Sequence, residues 1–228
     1  MTDLTFKVDP KVVDLGVKIQ TIKIDNITNS KSSEPFLQYQ NSELEKLKTY
    51  WKGNQVENDP ILKGFRDLHT KVGRSNRKFV SSPESLIWLL KERNRFPQIN
   101  TLVDIYNLIS IKYKLALGAH DISKVIGNIT LRITDGSEKF VSLESHQIET
   151  IFPGEYAYTD DGNNIICRLE VIQCEETKVT SETHNVFFII QGNSETSVNY
   201  IESATKELIE LVTKFCGGKV TYLNELDK

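Results

Sequence analysis

The chain predicts an α+β fold, with a largely antiparallel sheet packed against helices and an α/β extension at the N-terminus. Three observations carry that reading. Apolar residues recur with helical spacing from about Ser82 to Ile111. From Ile129 the period switches to two, through short segments separated by turn residues. The helical period then returns once, over roughly Ser197–Phe215, where Val198, Ile201, Leu208, Leu211 and Val212 share a face before Gly217 and Gly218 end it.

Taken in order, Val17–Ile24 (VKIQTIKI) reads as a strand. Val17, Ile19, Thr21 and Lys23 alternate with Lys18, Gln20, Ile22 and Ile24, and both rows mix apolar with polar residues, so no facing is assigned. Residues 29–35 are polar and turn-rich, and helical patterns follow at about Glu43–Trp51 and Pro60–Val72. Ser82, Pro83 and Glu84 make a helix start, with a capping serine, a proline in the first turn and an acid near the positive end. SLIWLLKERN continues it, and a second helix begins after Pro97. Candidate strands are Ile129–Thr134, Lys139–Ser142, Glu155–Tyr158, Ile165–Ile172 and Asn185–Gln191; Asp135-Gly136 is the strongest hairpin signal among their turns. The expected boundary lies before Pro83. Residues 1–82 would be an extension packed on residues 83–228 as one compact unit.

Composition narrows the function classes. The 228 residues carry 28 basic and 31 acidic side chains, a net charge of −3, which argues against a strongly basic binding protein or a tail of like charges. The longest apolar run, such as Leu86–Leu90, falls far short of the roughly 18–20 residues a membrane helix needs. The N-terminus lacks a secretory pattern, and Cys167, Cys174 and Cys216 have no CxxC spacing. A cytoplasmic protein with reduced thiols and no membrane partner is expected. His69, His120, His146 and His184 are scattered without metal-ligand spacing, and phosphate-loop, dinucleotide, HExxH and GxSxG signatures are absent. No cofactor, metal or DNA partner is expected.

Three places carry candidate chemistry. Asn100, Asp104 and Asn107, at i, i+4 and i+7, form one polar stripe on an otherwise apolar helix. Buried, they must find partners, either by tying the core together or by lining a polar pocket. In Ile165–Ile172, period two puts Arg168 and Glu170 on one face, as a solvated ion pair or as the charged floor of a cleft. Glu175 and Thr177 follow in a turn, a common location for binding residues. Between Lys71 and Arg95 seven basic residues meet two acidic ones, and Arg74, Arg77 and Lys78 beside Phe79 could hold a phosphate backbone or form a solvated loop.

The ordered set Phe96–Asp121, Ile129–Glu144, Gly154–Gln173 and Thr177–Ile189, with VDIYN at Val103–Asn107, resembles the B3/B4 domain of the bacterial phenylalanyl-tRNA synthetase beta subunit. It looks closer still to free-standing proteins made of that domain. The resemblance implies a B3/B4-like core and aminoacylated tRNA as the partner. Asn107 and Asp121 would then bind the amino acid or water, Arg168 would orient the ester or a phosphate, and His120 would lie beside the site. Two departures stand out: the family's histidine position, three before Asp121, is Gly118 here, and the late strand reads Val186-Phe187-Phe188-Ile189 with no glutamate. Three functions stay open: a trans-acting aminoacyl-ester hydrolase, a non-catalytic tRNA- or RNA-binding module, and a binder of a small amino-acid-like metabolite.

Overall fold

A computed structural model of the chain describes residues 4–143 and 145–226; Glu144, the end of one family-like segment, lies outside them. The strands are β1 (Phe6–Val8), β2 (Lys18–Asp25), β3 (Ala116–Asp121), β4 (Ile129–Ile133), β5 (Tyr156–Asp160), β6 (Ile165–Arg168), β7 (Ile172–Gln173), β8 (Val186–Gly192) and β9 (Lys219–Tyr222). The helices are α1 (Pro10–Val13), α2 (Glu34–Gly53), α3 (Pro60–Lys71), α4 (Ser82–Arg93), α5 (Thr101–Tyr113) and α6 (Val198–Cys216).

Two sheets form, ordered β1-β4-β5-β6-β7 and β3-β8-β2-β9, and every pairing is antiparallel except that of β1 with β4. Strand β8 shows why they stack. Phe187 and Ile189 enter the core shared with Phe6, Tyr156, Tyr158 and Ile165 of the first sheet. Val186, Phe188 and Ile190 point the other way, into a core with α5 and α6. A strand covered on both faces reads as a continuous apolar run, which is what VFFII is. The same two-sided burial accounts for the irregular alternation in β2, whose Ile19 joins one core while Ile22 and Ile24 join the other. A third cluster, with Leu44, Trp51, Leu62, Ile87 and Leu108, packs α2, α3 and α4 against α5.

Several local expectations change. The helix expected at Glu43–Trp51 begins at Glu34, with Pro35 in its first turn; buried Gln40 interrupts the apolar stripe of Phe36 and Leu44 and hides the early turns. The cap of α4 is Ser81 rather than Ser82, and its side chain makes no capping bond. Asp135-Gly136 is a self-contained turn and no hairpin. Glu138 accepts from both their N–H groups, while Thr134 N–H donates to Glu155 O and extends the β4–β5 ladder by one bond. Lys139–Ser142 makes only isolated bridges. Leu169, at φ +53°, breaks the expected strand Ile165–Ile172 into β6 and β7, a tight hairpin pairing Cys167 with Gln173. Residues 116–121, given no element in the sequence reading, form edge strand β3.

Candidate functional site

A cleft of about 730 Å³ opens where edge strand β3 of one sheet meets edge strand β7 of the other. Its apolar surface includes Ala116, Leu117, Ile172 and Ile189. Polar groups reach it from four directions: Asn107 on α5, Ser82 and Ser85 on α4, Gln173 on β7, and Ser142, Ser145 and Glu149 on the segment after β4. Lys78 and Glu170 complete the charged lining.

Gly118 sits in the β3 wall. A Cβ there would stand 2.7 Å from Gln173 Nε2, so the absent side chain is what lets that amide lie against the strand. Gln173 and Tyr106 both line the cleft. Burial, then the nearby Asp104 and Cys167, push that phenol upward, with the Gln173 amide opposing. Burial likewise pushes the Cys167 thiol up, so both cleft-facing groups are neutral hydrogen-bonding groups at pH 7.

At the cleft wall, Glu170 is held between two buried partners. Its Oε1 lies 2.6 Å from His69 Nε2, and its Oε2 accepts from the Tyr156 hydroxyl. His69 Nδ1 faces the Phe79 carbonyl at 3.0 Å, and a carbonyl only accepts, so Nδ1 carries a proton. One further proton must then sit between Nε2 and Oε1. Burial pulls the imidazole down, but the Glu170 charge and hydrogen bond, with the Phe79 carbonyl, outweigh it and the net shift is upward. The shared proton is therefore favoured on the imidazole.

A second buried cluster centres on Glu155. Arg168 donates to it through Nε at 2.6 Å and Nη2 at 3.2 Å, and Arg74 donates through Nε. Arg168 also lies 3.5 Å from Glu149 and stacks over Phe79 at 5.1 Å.

The residues singled out by sequence divide accordingly. Asn107, Glu170 and Lys78 line the cleft. Asn100 caps α5 by accepting from Val103 N–H at 3.0 Å, and Asp104 accepts from Ile99 N–H and Ser32 Oγ. The polar stripe thus separates into a cap, a tie and one cleft residue. Asp121 accepts from Ser123 N–H and Oγ through one oxygen and from Thr183 Oγ1 through the other. His120 is fully buried, with Nδ1 2.7 Å from Thr177 Oγ1, and burial lowers its pKa to about 3. Glu175 pairs with Lys178. Arg168 and Glu170, expected as an ion pair with each other or as a cleft floor, are both buried and bonded to separate partners; Glu170 lines the cleft, whereas Arg168 is not among its lining residues. Arg74 is tied to Glu155, whereas Arg77 is exposed. Gln173, Tyr106, Glu149 and His69 carried no signal in sequence, because each gains its place from a partner far along the chain.

The class of protein follows from comparison with known families. Residues 65–217 match the B3/4 domain model, and that segment supplies most of the cleft walls; the chain belongs to the B3/4 domain family. The phenylalanine–tRNA ligase beta subunit of Mycoplasma genitalium is 34% identical over 117 residues, covering 51% of this chain and 14% of that one. That of Fusobacterium nucleatum is 34% identical over 113 residues, covering 48% and 14%. This chain therefore aligns with only a small part of those relatives' length. An N-terminal fragment of the phenylalanyl-tRNA synthetase beta subunit from Pyrococcus horikoshii aligns in three dimensions over 96% of this chain and 51% of its own, with a TM-score of 0.49 and 15% identity.

Proposed function

We propose that the cleft receives the amino acid carried at the end of a transfer RNA, and that the chain hydrolyses mischarged aminoacyl-tRNA in trans as an editing-type domain. The observation that carries this reading is the cleft itself. It lies within the family-matched segment, has an apolar surface suited to a side chain, and carries neutral donors and acceptors suited to an ester beside the charged Lys78, Glu149 and Glu170. In the hydrolysis, a water oxygen bonds to the acyl carbon, the bond from that carbon to the ribose oxygen breaks, and the ribose oxygen takes up a proton. Asn107 is the candidate contact for the acyl oxygen, where an amide donor stabilises developing charge. Glu149, at the cleft wall, is the candidate partner for the α-ammonium. Arg168 acts through Glu149 as a positioning residue, whereas Asp121 is bonded to Ser123 and Thr183 and is not among the residues lining the cleft.

Deacylation of a panel of correctly and incorrectly charged tRNAs tests this, with Asn107→Ala and Gln173→Ala as variants. Selective hydrolysis lost in both variants supports the reading; no hydrolysis of any member of the panel removes it. A second reading, a binder of small amino-acid-like molecules, draws on the acidic Glu149 beside the apolar surface. It expects saturable binding of free amino acids, weakened in Glu149→Gln.

A further inference from the structure

The β6–β7 hairpin is a slender part of the cleft wall. Strand β7 is two residues long, lies at the edge of its sheet, and its ladder with β6 joins only Cys167 to Gln173 and Arg168 to Ile172. It nevertheless brings Val171, Ile172 and Gln173 to the cleft. A second piece of wall hangs on it: Leu143 N–H donates to Gln173 O at 3.0 Å, and Ser142 bridges to Cys174. The turn that delivers β7 is strained, because the buried Leu169 stands at φ +53°, in the left-handed region that favours glycine.

The next residue ties that turn to two other elements. Glu170 Oε1 lies 2.6 Å from His69 Nε2 on α3, and its Oε2 accepts from the Tyr156 hydroxyl on β5. The His69 and Glu170 side chains are each 1% exposed. Their contact needs one proton between Nε2 and Oε1, since His69 Nδ1 donates its own to the Phe79 carbonyl. Without that proton two lone pairs face each other in a buried site. The surrounding groups supply no substitute charge. Tyr156 and Tyr158 of β5 and Cys167 of β6 are kept neutral by burial, while Asn76 and the Phe79 carbonyl are uncharged. Arg168, two residues before Glu170, is engaged by Glu155 and Glu149.

We propose that His69 and Glu170 are positioning residues for the cleft, a proton-dependent latch that holds the β6–β7 hairpin, and Gln173 with it, against β3. With the proton in place Glu170 keeps both anchors and the turn keeps its shape. When the proton leaves, one anchor becomes repulsive, the strain at Leu169 is released, and Gln173, Ser142 and Leu143 withdraw from the wall. A two-pair edge ladder is the kind of element that opens locally without global unfolding. The latch is closed below the His69 midpoint, which lies above the ordinary imidazole value, and opens as pH rises through it. The inference rests on the reading that the cleft is the ligand site, and adds how that site is regulated.

NMR of the full chain across the titration of the His69 ring tests the latch without any ligand. Gln173 lies against Gly118, so an NOE between the Gln173 γ-protons and the Gly118 α-protons reports the closed wall. That NOE is expected to be lost above the His69 midpoint, while NOEs between Leu131 and Tyr158, paired across β4 and β5, persist. His69→Gln, which keeps a donor for Glu170 without titrating, should retain the Gln173–Gly118 NOE at every pH. Tyr156→Phe removes the other anchor and should weaken it even below the midpoint. The proposal is overturned if the wild-type NOE is level through the midpoint, or if the Leu131–Tyr158 NOEs fall in parallel. Deacylation assays separate the latch from the editing reading. Loss of the NOE at the midpoint in a chain without hydrolysis leaves the latch standing alone. Hydrolysis whose KM is level through the midpoint leaves the cleft standing and removes its regulation.

Discussion

Two buried histidines set opposite pH responses. The His69 imidazolium is favoured in the folded state, so its contribution is fully present below the ordinary value of 6.5 and fades as pH rises through its raised folded value. His120 behaves in reverse. Its folded pKa of about 3 keeps it neutral, so stability is intact above 6.5 and is lost as pH falls toward 3, by about 1.4 kcal/mol for each pH unit in that window. Urea denaturation across pH 4–9 should therefore show a loss on both limbs. His120→Gln, which keeps a partner for Thr177 without titrating, should flatten the acid limb alone. Replacing Glu170 by Gln removes the charge that holds the proton on His69, so burial leaves the imidazole neutral; a loss of about 1–3 kcal/mol and a flattened alkaline limb are expected in the same measurement.

At the scale of elements, β3 and α5 are the parts that shape the cleft. Gly118→Ala directs a methyl at Gln173 Nε2, the end of a flexible side chain, which can swing away from the strand. The expected result is a stability cost of only about 1 kcal/mol, read by thermal melting, with a much larger change in cleft binding because the Gln173 amide is displaced. A parallel fall in both properties would instead make Gly118 a packing residue only. Asn100→Ala removes the α5 cap and should cost about 1 kcal/mol while leaving binding by Asn107 unaltered, since the two lie at different places along the helix.

At the scale of the whole molecule, we propose that residues 1–82 and 83–228 fold as one unit. Strand β2 comes from the first part and lies between β8 and β9 of the second, while β1 pairs with β4 across the other sheet. A fragment covering only residues 65–217 would lack β1, β2 and β9 and expose the edge of β8 with its apolar faces. Such a fragment is expected to aggregate or to lose near-ultraviolet circular dichroism, whereas the full chain should unfold in one cooperative transition. Among the described residues no helix is long and apolar enough to cross a membrane.

Much of this was legible in the amino-acid order alone. Local periodicity and caps marked α3, α4, α5, α6, β4, β5 and β8, because those signals are written within a few residues. The family followed from the ordered motifs around Val103–Asn107 and Gly154–Gln173. Asn107 and Glu170 were singled out as well, yet so were Asn100 and Asp104, and nothing local distinguishes a cleft amide from a helix cap. That distinction needed the tertiary structure. The site is made where two sheet edges meet, and its key pairs join residues far apart in the chain: His69 with Glu170, Arg74 with Glu155, Gly118 with Gln173. Chain order records what each residue can do; only folding decides which distant partner it does it with, because burial and hydrogen bonding are settled between elements rather than within them.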